Sequence, residues 1–320
     1  MAESEPTSSG GEAADYFTAY EDLAVHRLML QDKPRTEAYK TFIERNAHAL
    51  KDKVVVDIGA GTGILSLFAA KAGAKKVYAI EASKMYKACE EIVAVNGYSD
   101  VIQVLHCRAE EATLPNDVKG DILISEWMGF YLFHESMLDS VISARNRLLK
   151  PDGLILPSSV ALYICPISAK QFKQDQVDYL EDVYGFDFSP LIPAATIQLL
   201  SEPSIQQIMS KQCLAEPKLV THLDLNFVEP EDIVKICGKF KFPISKHGVL
   251  HAVAFWFDVM FECEDTEPVT LNTGPDAEET HWKQTVIFLP QALLVSKGEL
   301  FECKVEMEQD KDNERSTILL

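Results

Sequence analysis

The chain has 320 residues, 47% hydrophobic and 25% charged, the proportions of a soluble globular protein with room for one large or two ordinary domains. A net charge of −19, from 49 acidic and 30 basic residues, argues against nucleic acid or an anionic membrane as partner and favours a cationic one. No apolar run is long enough to span a bilayer, since the best, Val249 to Phe261, is interrupted by His251 and Asp258.

Residues 1–15 are polar and acidic, with no basic start and no apolar segment, so they predict a disordered tail and not a secretory signal. From Asp15 to Asn46 the apolar spacing (Leu23, Leu28, Leu30, then Phe42 and Ile43) is helical, and Pro34 divides it in two. Val54 to Ile58 is a β-branched run typical of a strand covered on both faces, followed by a glycine turn and a helix over Ile64 to Ala72 closed by Gly73. The alternation continues with strands at Lys76 to Glu81, Val101 to His106 and Asp121 to Ser125. Helices are predicted at Lys84 to Asn96 and His134 to Leu149, the latter stopping at Pro151-Asp152-Gly153. Strands alternating with helices imply a Rossmann-like parallel sheet, which together with the N-terminal helices spans 16–157.

Beyond residue 157 the pattern becomes short alternating runs, at Ala161 to Cys165, Val253 to Phe261, Trp282 to Leu289 and Leu300 to Met307. They predict a mainly antiparallel β domain over 158–320, interrupted by a helical stretch at Gln171 to Tyr184. The seven cysteines form no C-x-x-C pair and read as buried free thiols, and no spacing suggests a metal site.

The turn Asp57-Ile58-Gly59-Ala60-Gly61-Thr62-Gly63 sits where an open α/β sheet collects its ligand. A dinucleotide fingerprint would need glycine where Ile64 stands, and a phosphate loop would need Gly-Lys-Ser/Thr, so G-x-G-x-G remains, the form usual in methyltransferases. Glu81, ending the next strand, is placed to accept from ribose hydroxyls. Glu110 and Glu111 follow the third strand, where a carboxylate could meet the adenine amine or simply face solvent. Arg35, beside Pro34, could pair with a ligand carboxylate, a group that S-adenosylmethionine has and NAD lacks, although a surface arginine is the commoner case.

The fourth strand runs into Ser125-Glu126-Trp127-Met128-Gly129-Phe130-Tyr131-Leu132-Phe133-His134-Glu135-Ser136-Met137. An aromatic loop this rich is normally buried, and buried carboxylates need partners, so Glu126 and Glu135 predict a pocket for a cation. A guanidinium, permanently charged and planar, can be bracketed by two carboxylates. Two carboxylates would also balance a sulfonium and a guanidinium lying close together. An acid–base dyad for glycosides and a structural ion pair are the competing readings.

These motifs resemble the protein arginine N-methyltransferases, from Tyr16 to about Leu289. The segment from Ser125 to Glu135 is similar to that family's double-glutamate loop, Thr280-His281-Trp282-Lys283-Gln284 to its threonine-histidine-tryptophan loop, and Val183-Tyr184-Gly185-Phe186-Asp187 to its helical dimerisation arm. The resemblance implies a seven-stranded methyltransferase domain, a β-barrel, a helical arm at about 168–203, and S-adenosyl-L-methionine as cofactor with S-adenosyl-L-homocysteine as product and no metal. It implies Glu126, Glu135 and His281 as catalytic, with His281 accepting a proton through Asp32. Cofactor contacts would come from His26, Arg35, Asp57, Gly59, Gly61, Glu81 and Glu110, and substrate contacts from Tyr20, Met29, Met137 and Trp282.

Met29 and Met137 match methionines of the type I branch, which makes monomethyl- and asymmetric dimethylarginine. The implied partners are arginine-containing proteins, histone tails among the candidates, and a second copy bound through the arm, with no nucleic acid and no membrane. The implied location is the nucleus, with the cytoplasm as alternative. The sequence departs from the family at Arg27 and Leu28, where two glutamates are usual, and before Pro243. It also stops short of the family's usual last strand, which predicts a barrel that closes differently or keeps an open edge.

Overall fold

The computed structural model describes residues 22–135, 137–310 and 315–319. Tyr20 and the expected tail at 1–15 lie outside the described residues.

The N-terminal helical stretch divides as expected, into α1 (Leu23–Gln31) and α2 (Lys33–Arg45). Asp32 stands between them in an extended conformation, and its side chain caps α2 by accepting the Arg35 N–H at 3.1 Å. Pro34 sits in the first turn of α2, where its missing N–H has no intrahelical partner to lose.

Strands β1 (Val54–Ile58), β2 (Lys76–Glu81), β3 (Ile102–His106), β4 (Gly120–Ser125) and β5 (Leu149–Leu156) form one parallel sheet ordered β3-β2-β1-β4-β5. Helices α3 (Ile64–Lys71), α4 (Tyr86–Val95) and α5 (Leu138–Leu148) make the crossovers. Strand order reverses between β1 and β4, which opens a crevice at their carboxyl ends.

The sheet has five strands among the described residues, not the expected seven. After β5 the chain turns away, and the next strand, β6 (Ser159–Ile167), pairs antiparallel with the C-terminal half. Two further boundaries differ. Pro151-Asp152-Gly153, read as a helix stop, lies inside β5: the ladder steps from Gly120↔Leu149 to Ile122↔Leu154, so the proline occupies a bulge where no ladder N–H is required. Helix α5 begins at Leu138, four residues after His134, because residues 129–134 make a tight turn bridged at Gly129 and Leu132.

The C-terminal half holds β7 (Ser204–Gln206), β8 (Lys218–Asp224), β9 (Lys235–Pro243), β10 (Gly248–Phe261), β11 (Val269–Asn272), β12 (Gln284–Val295), β13 (Leu300–Asp310) and β14 (Arg315–Leu319). One antiparallel sheet is ordered β7-β12-β10-β6-β8 with β11 on β10, and a second is ordered β14-β13-β9. The arrangement is barrel-like, but among the described residues the two sheets are not joined into a closed barrel, and β14 forms an edge.

Helices α6 (Lys170–Gln176) and α7 (Ile192–Ser201), both inside the 168–203 stretch, make up the arm. Phe172 and Leu199 pack on Cys165, Ala254 and Phe288 of the sheet, while Tyr184, Phe186 and Ile197 project into solvent. Buried Arg145 on α5 ties the halves together, donating to the carbonyls of Leu225 (2.9 Å) and Val228 (2.8 Å) and pairing with Glu229 (3.0 Å).

Candidate active site

A cavity of about 560 Å³ lies at the carboxyl ends of β1, β2 and β4, within the size range of small-ligand sites. The glycine turn forms its floor. Gly59 and Gly61 both have positive φ (+68° and +54°), and a side chain at Gly61 would come within 3.2 Å of the buried His26 ring above it. Met137 lies across Gly59 in the same way.

Glu81 is held by backbone on both oxygens: the Gly61 N–H donates to Oε2 and the Ser83 N–H to Oε1, each at 2.7 Å. That fixes the carboxylate at the cavity wall with lone pairs still available for hydroxyl donors. Glu110 also lines the cavity, from an exposed loop, and accepts a bond from the Ser140 hydroxyl.

Asp57, expected among the ligand contacts, is not on the cavity wall. It is 1% exposed beneath the turn, accepting from the Ser66 hydroxyl at 2.6 Å, and burial pushes its carboxyl up to about 6 against the lowering effect of Ser66. It ties the end of β1 to the start of α3.

Glu126 and Glu135 both line the cavity with Met29, Met137 and His281. The loop between the glutamates closes because Gly129 lacks a side chain: a Cβ there would meet the Glu135 backbone nitrogen at 3.0 Å. Tyr39 fixes the loop's start, donating its hydroxyl to the Ser125 carbonyl at 2.8 Å. Trp282, expected to line the arginine pocket, does not reach the cavity. It is 3% exposed behind the loop, donates Nε1–H to the Met128 carbonyl at 2.8 Å, and takes Phe257 edge-on. An indole buried in this way must satisfy its N–H, and the loop backbone supplies the acceptor.

Arg35, expected to meet a ligand carboxylate, does line the cavity. There its guanidinium donates to Glu126, with Nε and Nη2 at 2.8 and 2.6 Å from Oε2, both side chains being under a tenth exposed. Burial works against its charge, but the adjacent Glu126 more than offsets this and holds the group above its ordinary pKa. Nη1 makes only a 3.4 Å contact, with the Met29 carbonyl.

Asp32 reaches across to the C-terminal half. Its Oδ2 accepts both the His281 backbone N–H (2.8 Å) and the His281 ring Nδ1–H (2.6 Å). Burial raises its carboxyl, but these bonds win and place it below the usual range. Asp32 is therefore an orienting acceptor, and it leaves Nε2 as the His281 ring nitrogen that carries no hydrogen.

Residues 55–153 match the family described as a methyltransferase domain, and residues 158–319 match the arginine methyltransferase oligomerization subdomain. The chain belongs to the protein arginine N-methyltransferase family. A probable protein arginine N-methyltransferase 6 of Arabidopsis thaliana is 35% identical, covering 98% of this chain and 79% of the relative. Protein arginine N-methyltransferase 1 of Caenorhabditis elegans is 41% identical, covering 94% and 85%. The Trypanosoma brucei PRMT1 enzyme–prozyme heterotetrameric complex with AdoHcy superposes with a TM-score of 0.80 at 36% identity, covering 91% of this chain and 89% of that one.

The enzyme's cofactor is S-adenosyl-L-methionine, released as S-adenosyl-L-homocysteine, and the residues present suit it. Glycines bring the backbone to the ligand, and Glu81 offers oxygens to a diol. Among the described residues no group of three or more His, Cys, Asp or Glu side chains could hold a metal. Sequence reasoning missed Tyr39, Ser66 and Gln309. Gln309 enters the cavity from β13 and bonds Asp139, a contact across more than 150 residues that no local pattern announces.

Proposed function

We propose that this protein arginine methyltransferase is a type I enzyme that seats a substrate guanidinium between Glu126 and Glu135 and forms monomethyl- and then asymmetric dimethylarginine. The observation that carries the reading is Glu126 Oε1: buried in the cavity wall, it has no hydrogen-bond partner among the described residues, while Oε2 is taken by Arg35. A buried carboxylate oxygen without a donor is costly, and a planar N–H donor entering the cavity would relieve it.

S-adenosyl-L-methionine, when bound, supplies an electrophilic methyl on a sulfonium. The glutamates draw positive charge toward the non-reacting nitrogens and aim the terminal nitrogen at the methyl, and positioning is the larger contribution. His281 Nε2 takes the proton lost from the methylated nitrogen, with Nδ1 held by Asp32. Met29 and Met137, both on the cavity wall, narrow the site and support asymmetric over symmetric addition.

Histone tails are candidate substrates, in keeping with the chain's charge of −19. The exposed aromatics of the arm, Tyr184 (98% exposed) and Phe186 (71%), support a homodimer in which a second copy covers them. Resemblance to protein arginine N-methyltransferase 6 supports a nuclear location, with the cytoplasm as alternative.

The test is incubation of the purified protein with labelled cofactor and a histone-tail peptide, followed by mass spectrometry of the hydrolysed product. Asymmetric dimethylarginine is expected. Symmetric dimethylarginine, or the monomethyl form alone, overturns the type I reading.

A further inference from the structure

Glu110 sits on the stretch from Cys107 to Leu114, which pairs with no strand, yet its residues 107–111 all line the cavity. Something must hold so irregular a segment at a fixed depth. One helix does it from two points. Ser140, in the first turn of α5, donates its hydroxyl to the Glu110 carboxylate. Arg147, in the last turn, reaches the backbone beneath: Nη1 donates to the carbonyls of Ala109 (3.0 Å) and Glu110, and Nη2 to that of Ala112. The two residues are seven apart, so they share one face of the helix.

The guanidinium is suited to this role by geometry. Its planar fork offers five donors, so one side chain can satisfy three carbonyls that converge from a tight bend, whereas an ammonium acts as a single point. Ala109 and Ala112 are buried, so their side chains pin the loop inward while Arg147 fixes the carbonyls between them.

We propose that Arg147 is a positioning residue for the adenine end of the cofactor: it sets the depth of the Glu110 loop, and with it affinity for S-adenosyl-L-methionine and preference for a 6-amino purine. Arg147 is not among the residues lining the cavity and acts through the backbone of the loop that carries Glu110. The inference rests on the reading that Glu110 accepts from that amine.

Two variants test it, Arg147→Met, which removes the donors, and Arg147→Lys, which keeps the charge and part of the bonding. With Arg147→Met the KM for S-adenosyl-L-methionine rises about tenfold, equivalent to about one net hydrogen bond, while kcat and the KM for an arginine peptide stay within about twofold. Arg147→Lys recovers part of the loss and carries the test should the methionine variant fail to fold. A cofactor analogue with hydrogen in place of the 6-amino group binds parent and variants alike. Glu110→Ala, measured in parallel, separates the two claims. If it leaves cofactor affinity unchanged, the reading of Glu110 is wrong. If Glu110→Ala weakens binding and neither Arg147 variant does, or if the variants lose kcat or weaken the analogue equally, the proposal for Arg147 is overturned.

Discussion

Arg35 and Glu126 meet on a single oxygen. Both guanidinium contacts, 2.8 and 2.6 Å, fall on Glu126 Oε2, leaving Oε1 without a partner among the described residues. The cavity thus contains an arginine of its own, positioned between the glycine turn and the glutamate loop.

Removing one partner of a buried pair strands the other. Arg35→Met is therefore expected to lower the free energy of unfolding by about 3–5 kcal/mol, read from urea denaturation. Arg35→Lys keeps the charge but not the fork, and should retain most of that stability while losing about tenfold or more in kcat/KM. Wild-type kinetics from Arg35→Lys would mean the fork does not matter to the site.

Asp57 gives a pH signature with a definite sign. Its folded pKa, about 6, lies above the unfolded value near 3.8, so the folded state holds the proton more tightly. Its contribution is favourable below about pH 4 and is lost as pH rises through 6, on the order of 3 kcal/mol. Asp57→Asn removes the titration. Relative to the parent, the variant should gain stability steadily from pH 4 to 7 in parallel denaturation curves, and a difference that stays flat would refute the assignment.

Trp282→Phe keeps the ring and deletes the donor to the Met128 carbonyl, so a buried acceptor is left unpaired, at about 1–3 kcal/mol. Because that carbonyl belongs to the glutamate loop, kcat should fall as well, by about tenfold for a misplaced guanidinium seat. Thermal melting and initial rates report the two effects. A melt shift without any change in kcat would make Trp282 a packing residue only.

Phe186→Glu places a charge on the exposed surface of the arm. The expected outcome in sedimentation velocity is conversion of a dimer to monomer, because a buried unpaired carboxylate is unfavourable at an interface. An unchanged sedimentation coefficient would locate the contact elsewhere.

The parallel core was legible because each strand carries its own period and each turn its own glycine. Val54 to Ile58 needs no distant information to be read as a doubly covered strand, and the glycine turn identifies the ligand end of the sheet. The two glutamates were legible through their aromatic surroundings. What escaped was set by contacts far apart in sequence. Arg35 looks like a surface arginine until Glu126, 91 residues later, takes its guanidinium. Trp282 looks like a pocket wall until Met128, 154 residues earlier, claims its N–H. Pro151 reads as a stop because a bulge in a buried ladder has no sequence signature of its own.

Asp32 gathers three N–H groups: the backbone of Arg35, and the backbone and ring of His281. Helices α1 and α2 are thereby latched to His281, which among the described residues is the histidine that reaches the cavity from the C-terminal half. If α1 and α2 swing outward, His281 loses its tautomer and its aim at once. One carboxylate thus couples the start of α2 to the orientation of a ring on the far half of the chain.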